Sequence, residues 1–131
     1  MVFWRYGVLA TAVAAILNAA LWGLARAVGV SLVVQPPGQP ETTIGLPQVL
    51  LLTVVPLLFG TAFYTVLRRW TRRPFLIFLI LALLIFAVLL VPPFAATERA
   101  GTRFVLILMH VVATAALLAG LYRAELQRAR P

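Results

Sequence analysis

Four long stretches of this sequence contain no Asp, Glu, Lys or Arg, and charged residues bracket each of them. The four stretches are residues 6–25, 42–67, 74–97 and 104–122. Each is near or above the ~20 residues that an α-helix needs to cross ~30 Å of hydrocarbon. Segment 75–91 is apolar at every position, whereas the strands of a membrane barrel alternate in polarity. The pattern therefore predicts an all-α fold, a four-helix transmembrane bundle.

The whole chain, residues 1–131, is expected to form one membrane domain. Its only sizeable connection is the loop 31–46, where Pro36, Pro37 and Pro40 disfavour helix. We expect this loop to be extracytoplasmic and the all-apolar third helix to be the most exposed to lipid. The predicted helices cover, in chain order, residues of about 6–29, 47–68, 75–91 and 104–122.

The overall composition agrees with a lipid-embedded chain. Hydrophobic residues make up 63% of the sequence and charged residues 11%, whereas soluble domains carry roughly a quarter of their residues as charged ones. A net charge of +8 would favour nucleic acid as the partner of a soluble protein. Because the arginines lie at the ends of apolar stretches, the expected partners are instead the lipid bilayer and its anionic headgroups, with no nucleic acid.

The distribution of arginine predicts the orientation. Cytoplasmic segments of membrane proteins are enriched in Lys and Arg, and eight of the eleven arginines fall on the side of the two termini. Both termini are therefore expected in the cytoplasm, in a multi-pass protein of the inner (plasma) membrane. The turn after the second helix holds four arginines and is predicted to contact anionic lipid: Arg68, Arg69, Arg72 and Arg73.

Few polar side chains lie within the predicted spans, and three of them fall at a similar depth. A rise of 1.5 Å per residue places Asn18 about 18 Å above the inner edge of the hydrocarbon. His110 lies about 9 Å below the outer edge, and hence about 20 Å above the inner edge. Thr53 falls at a similar height, and Thr114 follows His110 by one helical turn. These residues are predicted to form an intramembrane polar layer, with contact among Asn18, Thr53 and His110.

The inventory of reactive side chains is too small for most enzyme chemistry. The sequence contains no Lys, Asp or Cys, and only one Ser, one Asn and one His. It has no Gly-rich phosphate loop, no metal-spaced His/Cys cluster and no pair of carboxylates. We expect no enzyme activity, no catalytic residue and no metal site.

Residues of the third connection and the fourth helix resemble a known family. The segments Pro92–Thr97, Thr102–Arg103 and Leu108–Ala113, with the pair Met109-His110 as the most specific element, are similar to an uncharacterised four-helix membrane family of high-GC bacteria. This family is a domain of unknown function. The resemblance implies the four-helix fold and its topology, and it brings no activity, cofactor or catalytic residue.

Three hypotheses for the function remain open. The first is a structural or accessory subunit that packs through its helices onto a larger membrane complex or onto itself. The second is a small transporter or channel that uses the Asn18/His110 layer. In the third, His110 binds haem or a chlorophyll-type pigment as an axial ligand, since histidine commonly has that role. Interhelical hydrogen bonding is the simplest interpretation of the layer.

Overall fold

The computed structural model describes residues 1–129 and is 79% helical. Arg130, counted above among the arginines on the side of the termini, lies outside the described residues. Four helical stretches, one of them formed by two consecutive helices, are long and apolar enough to cross a membrane, which confirms the four-helix prediction. The elements are α1 (Val2–Ala27), β1 (Val33–Val34), β2 (Thr42–Thr43), α2 (Leu46–Trp70), α3 (Pro74–Leu89), α4 (Val91–Ala96) and α5 (Ala100–Arg128).

The observed helices extend past the charged residues that bracket the apolar stretches. Helix α1 begins at Val2 instead of residue 6, and α5 covers Ala100–Arg128 instead of 104–122. Charged residues mark the edge of the hydrocarbon, but the backbone hydrogen bonds of a helix continue through the interface. Pro92 and Pro93 lie in the first turn of α4, where proline is well tolerated.

The long loop contains a small β-hairpin that the sequence analysis did not predict. Val33 pairs with Thr43 in the antiparallel register. The Trp22 indole donates a hydrogen bond to the Ile44 carbonyl oxygen at 3.0 Å, which fastens the hairpin to α1. The side chain of Leu32 is completely buried at the end of the bundle, against residues that include Met109. The loop is therefore a folded cover on this end of the bundle.

Helix α1 is the centre of the bundle and packs along both α2 and α5. Small side chains make these approaches close. A Cβ atom on Gly7 would overlap Cγ2 of Thr61 on α2, and one on Gly120 of α5 would lie 2.7 Å from Cβ of Ala10. The two helix pairs therefore depend on glycine at these crossings.

Helix α3 lies at the edge of the bundle. Only 6% of the apolar window in Pro74–Ala96 is buried, against 22–28% in the other three spans. Phe78 is the buried residue of α3, and its ring meets the Tyr64 ring edge-on at a centroid distance of 5.2 Å. The third span is the most exposed of the four, as its uniform apolarity predicts.

Candidate functional site

Asn18 connects three helices in the interior of the bundle. Its side chain is 2% exposed. The amide nitrogen donates to Oγ1 of Thr53 on α2 at 3.0 Å and to the carbonyl oxygen of Met109 on α5 at 3.3 Å. The Thr53 hydroxyl donates in turn to the Val49 carbonyl oxygen at 2.7 Å. Two of the predicted layer residues are therefore brought together, and the contact with α5 is made by a backbone carbonyl.

His110 is not part of this contact. Its Nδ1 lies 2.7 Å from the carbonyl oxygen of Leu106, one turn earlier in the same helix, and the ring is half-buried. The expected contact between Asn18 and His110 is wrong because depth alone does not determine which way a side chain points. Neighbouring residues on a helix point about 100° apart. In α5 the group that accepts from Asn18 is the carbonyl oxygen of Met109, and the side chain of the next residue, His110, points elsewhere.

An apolar groove opens between α2, α3 and α5. Its volume is about 650 Å³, and Thr114, the fourth predicted layer residue, is the one hydroxyl-bearing side chain in its lining. The rings of Phe63 and Phe78, with centroids 6.4 Å apart, lie at its end nearest the α2–α3 turn. Other lining residues are Pro56, Gly60, Ala82, Phe86 and Leu117.

A charged cluster lies at the end of the bundle opposite the hairpin, where α1 begins and α2 and α5 end. We call this the termini end. Glu125 accepts hydrogen bonds from the Tyr64 hydroxyl at 2.5 Å and from Nε of Arg68 at 3.1 Å. The Arg68 guanidinium also lies over the Phe3 ring, 3.6 Å from its centroid. The cluster thus joins α1, α2 and α5 by a charged hydrogen bond, a cation–π contact and an ion pair.

Glu125 and Tyr64 were not among the predicted site residues. A signal was present, since Glu125 is the one acidic residue on the side of the chain that carries eight arginines. The sequence does not show which arginine is the partner of Glu125. Several arginines follow α2, and only the packing of α2 against α5 selects Arg68.

The four arginines predicted to contact lipid do not share one environment. Arg69, Arg72 and Arg73 are exposed. The side chain of Arg68 is 16% exposed and is directed into the bundle toward Glu125. The charge of Arg68 is therefore paired within the chain, and contact of these four arginines with anionic lipid stays a prediction.

The structure also bears on two other kinds of site, a metal site and a ligand at His110. Within residues 1–129, no three His, Asp or Glu side chains come together as a metal site would require. Because Nδ1 of His110 is occupied by the hydrogen bond to the Leu106 carbonyl oxygen, Nε2 is the ring nitrogen left for any other contact.

Four apolar spans with a hydrogen-bonded polar interior define the class as a multi-pass α-helical membrane protein. The model of a family of unknown function, DUF6069, matches residues 1–127 of the chain. The protein therefore belongs to the DUF6069 family, in agreement with the resemblance to an uncharacterised four-helix family. No curated protein and no solved structure matches the chain.

Proposed function

We propose that this chain is a non-enzymatic structural or accessory subunit, which packs through its helices onto a larger membrane complex or onto a second copy of itself. The observation that carries the proposal is the groove between α2, α3 and α5. Here three helices of one chain leave about 650 Å³ between them, although membrane helices associate mainly through close van der Waals packing. Side chains from another membrane-spanning helix would complete this packing.

The size of the groove defines what part of a partner it would take. A whole helix of about 10 Å diameter and 24 Å length occupies roughly 1,900 Å³, which is much more than the groove offers. The groove would therefore hold the large side chains on one face of a partner helix. Ala82 is a small residue in the lining and leaves room for such side chains.

The polar interior favours this proposal over a small transporter or channel. A polar pathway needs side chains that face a water-filled space. The amide nitrogen of Asn18 is bonded to α2 and α5, and His110 bonds within its own helix. The groove is lined by apolar side chains apart from Thr114.

Purification of the intact particle tests the proposal. We expect a tagged chain at native level, extracted in mild detergent and weighed by native mass spectrometry, to occur in an assembly of defined stoichiometry. Ala82→Phe fills the groove and is expected to dissociate that assembly. Ala12→Phe adds the same ring to an exposed position of α1 and is expected to leave the assembly intact. A monomer, with or without bound lipid, would contradict the proposal.

We also propose that both termini lie in the cytoplasm and that the membrane is the inner (plasma) membrane. The excess of arginine at the termini end supports this orientation. Trp4, Trp70 and Tyr122 support a membrane interface at that end, because they are 45%, 84% and 50% exposed there.

The absence of cysteine makes this topology measurable without background labelling. A cysteine at Gln39, in the hairpin loop, is expected to react with a membrane-impermeant maleimide on intact cells. A cysteine at Gln127, near the end of α5, is expected to react only after the cells are opened. The reverse pattern would place the termini outside.

A further inference from the structure

Besides the apolar groove, the structure has a cavity at the termini end that is lined by arginines from two helices. Its volume is about 370 Å³, and it lies between the start of α1 and the ends of α2 and α5. We call it the arginine cavity; its lining residues are Met1, Phe3, Trp4, Thr65, Arg68, Arg69 and Arg128. Only the fold brings these residues together, because Arg69 and Arg128 are far apart in the sequence.

The charges around this cavity are not balanced within the described part of the chain. Three arginines line it, and like charges at close range repel each other. The nearest carboxylate, Glu125, is bound to Arg68. Arg68–Glu125 is the ion pair found among residues 1–129, so Arg69 and Arg128 bring two positive charges that no carboxylate of this segment neutralises.

The walls of the cavity combine these charges with aromatic rings. Phe3 is buried beneath the Arg68 guanidinium, and Trp4 is 45% exposed at the rim. Tryptophan at the end of a membrane span favours the headgroup region of the bilayer. A ligand here would meet guanidinium donors on one side and rings at the edge of the hydrocarbon on the other.

We propose that the arginine cavity binds the phosphate of an anionic membrane lipid. Guanidinium groups recognise phosphate oxygens through paired hydrogen bonds, and a cavity of this size lies within the range of about 300–1,000 Å³ that is typical of small-molecule sites. A lipid is the source because the cavity opens where the apolar spans end. Arg69 and Arg128 are the principal ligands, while Arg68 forms the inner wall and keeps its bond to Glu125. Arg72 and Arg73 do not line the cavity and contribute only diffuse attraction to the headgroups.

Titration of the full-length chain with lipid tests this site. Native mass spectrometry in a neutral detergent would measure binding of phosphatidylglycerol, with phosphatidylcholine and inorganic phosphate as the other probes. Replacing both Arg69 and Arg128 with glutamine is expected to weaken phosphatidylglycerol binding by about ten-fold or more. The matched control, Arg72→Gln with Arg73→Gln, removes the same charge at the same end and is expected to change the affinity less than two-fold.

The alternative outcomes are distinct. An equal loss in both double variants would show diffuse attraction without a site and would overturn the proposal. Inorganic phosphate that binds as tightly as phosphatidylglycerol would overturn the lipid as the source. A third variant, Arg69→Lys with Arg128→Lys, keeps the charge but loses the planar donor pair. It is expected to bind at an intermediate affinity, and affinity equal to that of the glutamine pair would contradict recognition of the anion by charge. Circular dichroism verifies that each variant is folded.

Discussion

Replacing Gly120 with alanine is expected to lower the free energy of unfolding by about 2 kcal/mol, within the range for overpacking. The new Cβ atom would lie 2.7 Å from Cβ of Ala10 and 2.9 Å from the carbonyl oxygen of Tyr6. The second contact is with backbone, so no change of rotamer relieves it. Helices α1 and α5 would have to move apart along their crossing. Unfolding by a denaturing detergent in mixed micelles measures the loss.

Gly23→Ala provides the matched control for this prediction. Gly23 lies in α1, and a Cβ atom there would meet nothing within 4 Å. The same substitution is therefore expected to leave stability unchanged or to raise it by up to about 1 kcal/mol, because alanine is the better helix former. Equal destabilisation by the two variants would mean that the crossing at Gly120 does not depend on the missing side chain.

Replacing Glu125 with alanine is expected to destabilise the protein by about 2 kcal/mol. The variant leaves the Arg68 guanidinium and the Tyr64 hydroxyl without their shared acceptor. Loss of one partner from a fully buried ion pair costs about 3–5 kcal/mol. The side chains of Arg68 and Glu125 are 16% and 27% exposed, so water partly replaces the missing contact and the expected loss is smaller. The same mixed-micelle unfolding measurement applies.

The control for this second prediction is Glu41→Ala. Glu41 is an exposed acidic residue in the hairpin loop, and its removal is expected to change stability by less than about 0.5 kcal/mol. A double-mutant cycle of Glu125→Ala with Tyr64→Phe isolates the hydrogen bond between them, with an expected coupling of about 1 kcal/mol. Additive effects of the two changes would contradict an energetic link between these side chains.

The sequence predicted the polar layer only in part. Rise per residue predicted that Asn18 and Thr53 lie at one depth, and the structure brings them to 3.0 Å. The same arithmetic placed His110 at that depth, but His110 bonds to Leu106 within its own helix. Depth follows from counting residues, whereas direction around the helix axis depends on how α5 is rotated against its neighbours.

The helix bounds were also predicted only in part, and the hairpin was not predicted. Charged residues located the ends of the four spans to within six residues, since the hydrocarbon excludes charge. They did not predict that α1 and α5 continue past Arg5 and Arg103, because a helix does not end where the hydrocarbon does. The β1–β2 pairing is a contact between two segments of low helix propensity. Its attachment to Trp22 and the burial of Leu32 against the bundle make it part of the fold.

The sequence by itself determined the four spans, the all-helical class and the exposure of the third helix, because these follow from the cost of placing polar groups in hydrocarbon. The tertiary structure alone decided that Glu125 pairs with Arg68. It also decided that a groove opens between α2, α3 and α5 and that Arg69 and Arg128 line one cavity. Burial of apolar residues constrains each helix separately. The contacts between helices depend on relative rotation and tilt, which close packing of small side chains such as Gly7 and Gly120 sets only once the helices are in contact.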